Sequence, residues 1–299
     1  MTAPRPAHPS GLLPVVLVFV GPWQAAALAA AGLGWAAWWL DLPNHLLPMT
    51  VLLAALTAVL AGVGRRAWWA AGFLVLTVGH GARWCGSRGT NEPCTTEARR
   101  VLVANVLASN LQREPLWELV EREDPDVIGL LEVTPAWLPA LERIRRSHPH
   151  HVEVPRVDAF GMALYSRIPF QREQLVALDA PVPSLRAVFD AWDLWLTHPV
   201  PPVSVTGARA RDAQLAILSE ELDQPRTVVA GDLNCTPWAW CYPANARRWV
   251  GGTWPSGVPG VLRLPIDHVL TSSDVTVRSR RVGPGIGSDH RPVIVDLCR

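Results

Sequence analysis

Between Met1 and Trp84 the chain carries five charged side chains: Asp41 and the arginines Arg5, Arg65, Arg66 and Arg83. From Cys85 to Arg299 it carries 25 acids and 23 arginines, a net of −2. A stretch so poor in charge lacks the polar surface that a water-soluble domain needs, and the remainder has it. The division predicts an apolar unit over residues 1–84, a linker over 85–98 and a soluble domain over 99–299.

Within the first unit, Leu12 to Leu40 contains no charged side chain, and His45 to Gly64 and Ala67 to Trp84 are two further apolar runs. A helix needs roughly 20 apolar residues to cross a bilayer. The first run is longer, and Gly21-Pro22 predicts a kink or break in it. Trp35, Trp38, Trp39, Trp68, Trp69 and Trp84 cluster at the run ends, as an interfacial aromatic belt would. No polar face recurs at helical spacing, which argues against a buried bundle of a soluble protein. A cleaved signal peptide over Leu12 to Val20 leaves the two later runs unexplained. About three crossings are expected, near 12–40, 45–64 and 67–84. Arg5, Arg65 and Arg66 then place the amino terminus inside and everything after Trp84 outside the cell membrane.

Five cysteines suit such an exterior location. Two pairs lie close in sequence, Cys85 with Cys94 and Cys235 with Cys241. Either pair is a candidate disulfide, the alternative being that all are free, and the odd count leaves one thiol over. No Cys-x-x-Cys spacing for a metal occurs.

The soluble part reads as many short strands with few helices. "RRVLVANVL" predicts a strand ending near Asn105, and "DPDVIGLLEV" a turn and a buried strand ending at Glu132. "RAVFDAWDLWLTH" predicts a hairpin ending at His198. "RTVVAGDLN" predicts a strand running into Asp232 and Asn234. "VLRLPIDHVLTS" predicts a strand near Val261–Leu270 that carries Asp267, and "DHRPVIVDL" one that begins after Asp289, His290 and Pro292. Helices are expected over Pro115–Arg122, Pro135–Ser147 and Ala208–Leu222. Alone, a carboxylate after a strand is a turn former. Eight polar residues, each at the end of an apolar run, point instead to one pocket. Carboxylates offer hard oxygen donors for Mg²⁺, a His held by an Asp moves protons or contacts phosphoryl oxygens, and an amide adds a neutral donor.

"DPDVIGLLEV", "GDLN", "IDH" and "SDHRPV", in that order, resemble the endonuclease/exonuclease/phosphatase superfamily, which includes DNase I-like nucleases, sphingomyelinases and inositol phosphatases. The resemblance covers about residues 99–299. It implies an α/β fold: a four-layer sandwich of two mainly antiparallel sheets flanked by helices, here preceded by a transmembrane helical segment. It implies that Glu132, Asn105 and Asp289 lie at a Mg²⁺ site, with Mn²⁺ as a possible substitute. It implies that Asp232 orients or deprotonates the attacking water, that Asn234 contacts phosphate, and that Asp267 holds the phosphate-contacting His290. His198 matches the second catalytic His. Two departures stand out. Leu131 replaces a Gln before the metal Glu, and "FGMALYSR" offers no acidic partner for His198. His268 reads as packing or as facing substrate.

With no lysine and a net of −2, the soluble part does not present the basic surface that a duplex-binding nuclease needs, although Arg209 and Arg211 are candidate phosphate contacts. About 16 residues separate Trp84 from the first strand, a reach of at most roughly 55 Å. That tether favours a substrate in the lipid bilayer. "WLTHPVPP", "TWP" and "LPIDHVL" are similar to a membrane-anchored branch linked to glycopeptide (teicoplanin and vancomycin) resistance. That resemblance implies hydrolysis of the lipid pyrophosphate undecaprenyl pyrophosphate. The alternatives are a membrane-tethered nuclease or sphingomyelinase-like phosphodiesterase, and a non-catalytic binding module.

Overall fold

A computed structural model describes residues 12–85, 92–94, 96–179, 182–247, 249 and 251–298. Arg5 and half of the linker expected over 85–98 lie outside them. The chain forms two compact units, one built on the amino-terminal helices together with Trp238–Trp240, the other on the remainder.

The first unit has four helices: α1 (Leu12–Leu33), α2 (Trp38–His45), α3 (Leu47–Val63) and α4 (Ala67–Cys85). α1 runs through Pro22, and the break expected at Gly21-Pro22 comes instead at the 3-10 turn Gly34–Ala36. Among the described residues no single helix is long and apolar enough to cross a membrane. The pair Phe19–Leu33 and Trp38–His45 is so only when taken together, bent by 113°. The packing of this unit is inverted. Gln24, Asp41, Asn44, Thr50, Thr57 and His80 are buried, while Phe19, Leu56, Val59, Val63, Trp68, Leu74, Val75 and Val78 are more than half exposed. Asp41, Asn44 and Arg83 pair with one another, whereas Gln24 Oε1 and His80 Nε2 are buried without a partner. Asn44 Nδ2 donates to Asp41 Oδ1 at 2.8 Å and to the Ala30 carbonyl at 2.9 Å, and Arg83 Nη2 donates to Asn44 Oδ1 at 2.8 Å.

The second unit holds two mixed sheets. The first has six strands in the order β10-β11-β1-β2-β4-β3, the second five in the order β5-β6-β7-β8-β9. In chain order the strands are β1 (Arg99–Asn105), β2 (Val127–Leu131), β3 (His150–Val154), β4 (Met162–Ser166), β5 (Arg172–Ala177), β6 (Pro183–Val188), β7 (Asp193–Thr197), β8 (Thr227–Asp232), β9 (Asp267–Thr271), β10 (Thr276–Val282) and β11 (Val293–Cys298). β1 is apolar on both faces because both are covered. Val101 and Val103 join Leu194, Leu196, Val228 and Ala230 in the core between the sheets. Leu102 and Ala104 face helices α5 (Glu114–Glu123) and α6 (Leu138–Ser147) through Leu116, Leu119, Leu141 and Ile144. On the second sheet α7 (Val205–Leu222) is opened by Ser204, whose Oγ accepts from Gly207 N at 3.0 Å. Its Gln214 Nε2 donates to Ser184 Oγ at 3.0 Å and to Thr197 Oγ1 at 3.2 Å.

The strand expected over Val261–Leu270 is shorter. Gly260–Leu262 is a 3-10 turn, Pro265 lacks the N–H for a sheet ladder, and β9 starts at Asp267. The cysteine pairing also differs in part. Cys235 joins Cys241, but Cys94 joins Cys298 across 204 residues, and the free thiol is the exposed Cys85.

Candidate active site

Each sheet contains one parallel pair, β1 with β2 and β7 with β8. Parallel neighbours end on the same side, so each pair delivers two strand ends to one edge. Asn105 closes β1, Glu132 follows β2, His198 follows β7 and Asp232 closes β8. The antiparallel neighbours complete the set: Asp267 opens β9 directly opposite Asp232, and His290 precedes β11.

Backbone geometry aims these side chains. Glu132 and Asn234 have φ of 61° and 49°, in the left-handed region that non-glycine residues rarely occupy and that marks functional sites. Gly231, at φ 148°, has no room for a Cβ, which would lie 1.9 Å from the Thr197 carbonyl oxygen. Only glycine lets β8 approach β7 that closely just before Asp232.

Asn105, 1% exposed, joins the two sheets. Its Nδ2 donates to Glu132 Oε1 at 2.9 Å and to Asp232 Oδ2 at 3.3 Å, and its oxygen accepts from Leu107 N at 3.0 Å. Ala108 N donates to Glu132 Oε2 at 2.9 Å. Asp232 Oδ1 accepts from Asn234 N at 3.0 Å. Its Oδ2 faces His198 Nε2 at 3.5 Å and His290 Nε2 at 3.6 Å. Both exceed ordinary hydrogen-bond length, so the imidazoles are near the carboxylate without being locked to it. His290 Nδ1 lies 2.9 Å from Asp267 Oδ2, while Asp267 Oδ1 is buried without a partner.

Charge follows from this packing. Burial opposes ionisation of Asp232, but His290 and His198 hold its pKa down to about 2. Burial likewise disfavours a charged His290, yet Asp267 and Asp232 push its pKa up to about 10. Asp267 is raised, with burial the largest cause. His198 is raised because Asp232 outweighs its burial. At neutral pH the pocket thus holds an ionised Asp232 beside a cationic His290.

Asn234 Nδ2 donates to the Pro199 carbonyl at 2.9 Å. Asp289 stands exposed at the rim, and its Oδ2 accepts from Trp254 Nε1 at 3.0 Å. The acidic partner missing for His198 is replaced by backbone: His198 Nδ1 donates to the Ala159 carbonyl at 3.0 Å, and Phe160 packs on the ring at 5.3 Å. A main-chain carbonyl leaves no residue signature, and Trp254 carries none of its own. Arg211 is not a phosphate contact. It is 2% exposed, and its Nη1 donates to the Asn234 carbonyl at 2.9 Å. His268 packs inside, donating to the Cys235 and Pro265 carbonyls at 3.0 and 2.9 Å, and burial lowers its pKa to about 4.

The donor set fits a hard divalent cation. Donor atoms of Asp232, Asp267 and His290 lie within 4.8 Å of one another. Both His290 nitrogens already face carboxylates, so that trio is better suited to holding a proton. Glu132 is only half-buried and keeps lone pairs after its two hydrogen bonds, which makes the side of the pocket between Glu132 and Asp232 the better seat for the ion. A divalent ion there would polarise a phosphoryl oxygen.

No curated protein matches the sequence. Solved structures match the fold. TDP2 of D. rerio, complexed with single strand DNA product, superposes at TM-score 0.55 with 19% identity over 68% of this chain and all of that one. An endonuclease/exonuclease/phosphatase of Beutenbergia cavernae gives 0.53, 19% identity, 68% of this chain and 72% of that one. The human Nocturnin catalytic domain gives 0.51, 19% identity, 69% and 96%. The model of one family spans residues 102–290, from inside β1 to the imidazole of the pocket. The chain belongs to the Endonuclease/Exonuclease/phosphatase family, whose members are metal-dependent hydrolases acting on phosphoester bonds.

Proposed function

We propose that this protein is a membrane-anchored phosphohydrolase that removes a phosphate from undecaprenyl pyrophosphate at the outer face of the cell membrane. It would thereby serve recycling of the cell-wall lipid carrier and glycopeptide resistance. The observation that carries this reading is the first unit's surface, where Phe19, Leu56, Val59, Val63, Trp68, Leu74, Val75 and Val78 face outward while Gln24, Asp41, Asn44, Thr50, Thr57 and His80 are buried, as a helical unit in lipid requires. The two disulfides favour an oxidising exterior for the second unit.

In this proposal Glu132 holds Mg²⁺ or Mn²⁺, with Asn105 beside it and Asp289 on the rim. Ionised Asp232 orients an attacking water and takes its proton. Cationic His290, positioned by Asp267, neutralises a phosphoryl oxygen, with His198 on the other side of Asp232. The Asn234 amide is a further donor once a substrate oxygen displaces the Pro199 carbonyl.

The test uses purified full-length protein in detergent with Mg²⁺, offered undecaprenyl pyrophosphate, sphingomyelin and plasmid DNA in parallel. The proposal expects phosphate release from the pyrophosphate, lost in Asp232→Asn and His290→Ala. Nicked plasmid without phosphate release would replace it with a tethered nuclease, and cleaved sphingomyelin with a lipid phosphodiesterase. A reporter fused at the carboxyl end reads topology separately.

A further inference from the structure

Five apolar side chains stand in solvent on the segments that join strands at the catalytic end of the second unit. Val157 is 94% exposed, Leu111 86%, Val203 83%, Val261 48% and Val205 47%. Each lies on a segment tied to the pocket. Leu111 follows Asn110, whose Nδ2 donates to the Ile286 carbonyl at 3.1 Å on the loop that leads to Asp289 and His290. Val157 is two residues from Ala159, the hydrogen-bond acceptor of His198. Val203 and Val205 follow Pro199, the acceptor of Asn234. Val261 tips the segment between Trp254 and Leu264, which bridge each other while Trp254 holds Asp289.

Single exposed apolar residues are normal on any surface. Here the distribution is lopsided. Outside Trp238–Trp240, one other large apolar side chain of the described second unit is comparably exposed, Leu175 on the edge strand β5. The rest form a crown around the mouth of a charged pocket.

We propose that this crown is a lipid-contact surface, which seats the mouth of the pocket at headgroup depth so that a lipid phosphate reaches the site without leaving the bilayer. The proposal rests on the membrane-lipid reading of the substrate. The occupant is argued from three features. The residues are spread over four segments around an opening, which suits a deformable surface better than one rigid groove. They are aliphatic, whereas the anchors of protein interfaces are chiefly Trp, Tyr and Arg. Arg209 stands exposed four residues from Val205, and a guanidinium at headgroup depth attracts anionic lipid.

The experiment uses the full-length chain with Cys85→Ser, which removes the one free thiol. In that background Val157→Cys or Val203→Cys, or Leu175→Cys as control, supplies one free thiol for an environment-sensitive fluorophore. The protein is reconstituted in phosphatidylcholine and phosphatidylglycerol vesicles with and without doxyl-labelled lipid. Quenching is expected at 157 and 203 and not at 175. In a second arm, the combined Leu111→Ser, Val157→Ser and Val203→Ser protein should show KM for vesicle-borne lipid pyrophosphate raised by about tenfold. Labels at 157 and 203 quenched no more than at 175, or an unmoved KM, would overturn the crown. If the wild type turns over no lipid pyrophosphate, the substrate reading fails by itself, and the quenching still decides whether the crown meets lipid.

Discussion

One imidazole is shared between two carboxylates: His290 Nδ1 sits 2.9 Å from Asp267 Oδ2 while its Nε2 faces Asp232. Asp267 therefore acts through His290 rather than on substrate. Asp267→Asn removes the charge that keeps the imidazolium in place. We expect activity to fall by about 10²–10⁴-fold and the His290 pKa to move down, read from the imidazole resonances of the metal-free protein.

The same pair predicts a pH dependence of stability. His290 titrates at about 10 in the folded state against an ordinary 6.5. A raised histidine pKa stabilises fully below the ordinary value, and the contribution is lost as pH climbs through the folded one. Denaturant unfolding of the metal-free protein should show stability falling between pH 6.5 and 10. The fall should be smaller in His290→Ala.

Glu132 is the carboxylate best placed for the cation. Glu132→Gln keeps the side-chain size and one oxygen acceptor but removes the charge. Titration calorimetry with Mn²⁺ should show affinity weakened by more than the roughly 10–100-fold typical of groups that merely support a metal ligand.

Gly231→Ala places a methyl group against the Thr197 carbonyl. The two strands are hydrogen-bonded neighbours at that point, so neither can retreat without breaking the ladder. Destabilisation of about 3–5 kcal/mol is expected by denaturant unfolding, with Asp232 displaced and activity lost together.

The cysteine pairing predicts a peptide map. Digestion without reductant should yield Cys94 linked to Cys298 and Cys235 to Cys241, with Cys85 alkylated. Cys298→Ser should cost about 2–5 kcal/mol, read as a lowered Tm.

The pocket was legible because its residues terminate strands whose apolar runs are unmistakable. "VLVAN" and "TVVAGD" carry their end residues on strands buried along most or all of their length. Two of the four edge strands, β3 and β5, were not legible. "HHVEV" and "REQLVA" are half-buried or exposed and alternate weakly, so their strand character comes from pairing with β4 and β6 rather than from their own pattern. The extended strand read into Val261–Leu270 overlooked Pro265. The bridge from Cys94 to Cys298 was hidden because 204 residues separate its ends, and only the alignment of β11 beside β1 brings them close.

That bridge has a mechanical meaning. Cys94 lies between the apolar helices and the first strand, and Cys298 ends the last. A pull arriving along the chain from the amino-terminal side divides at Cys94 and loads β1 and β11 together. Those two strands run side by side inside one sheet, so the load enters both at the same end and passes to their outer neighbours β2 and β10, and β1 does not bear it alone.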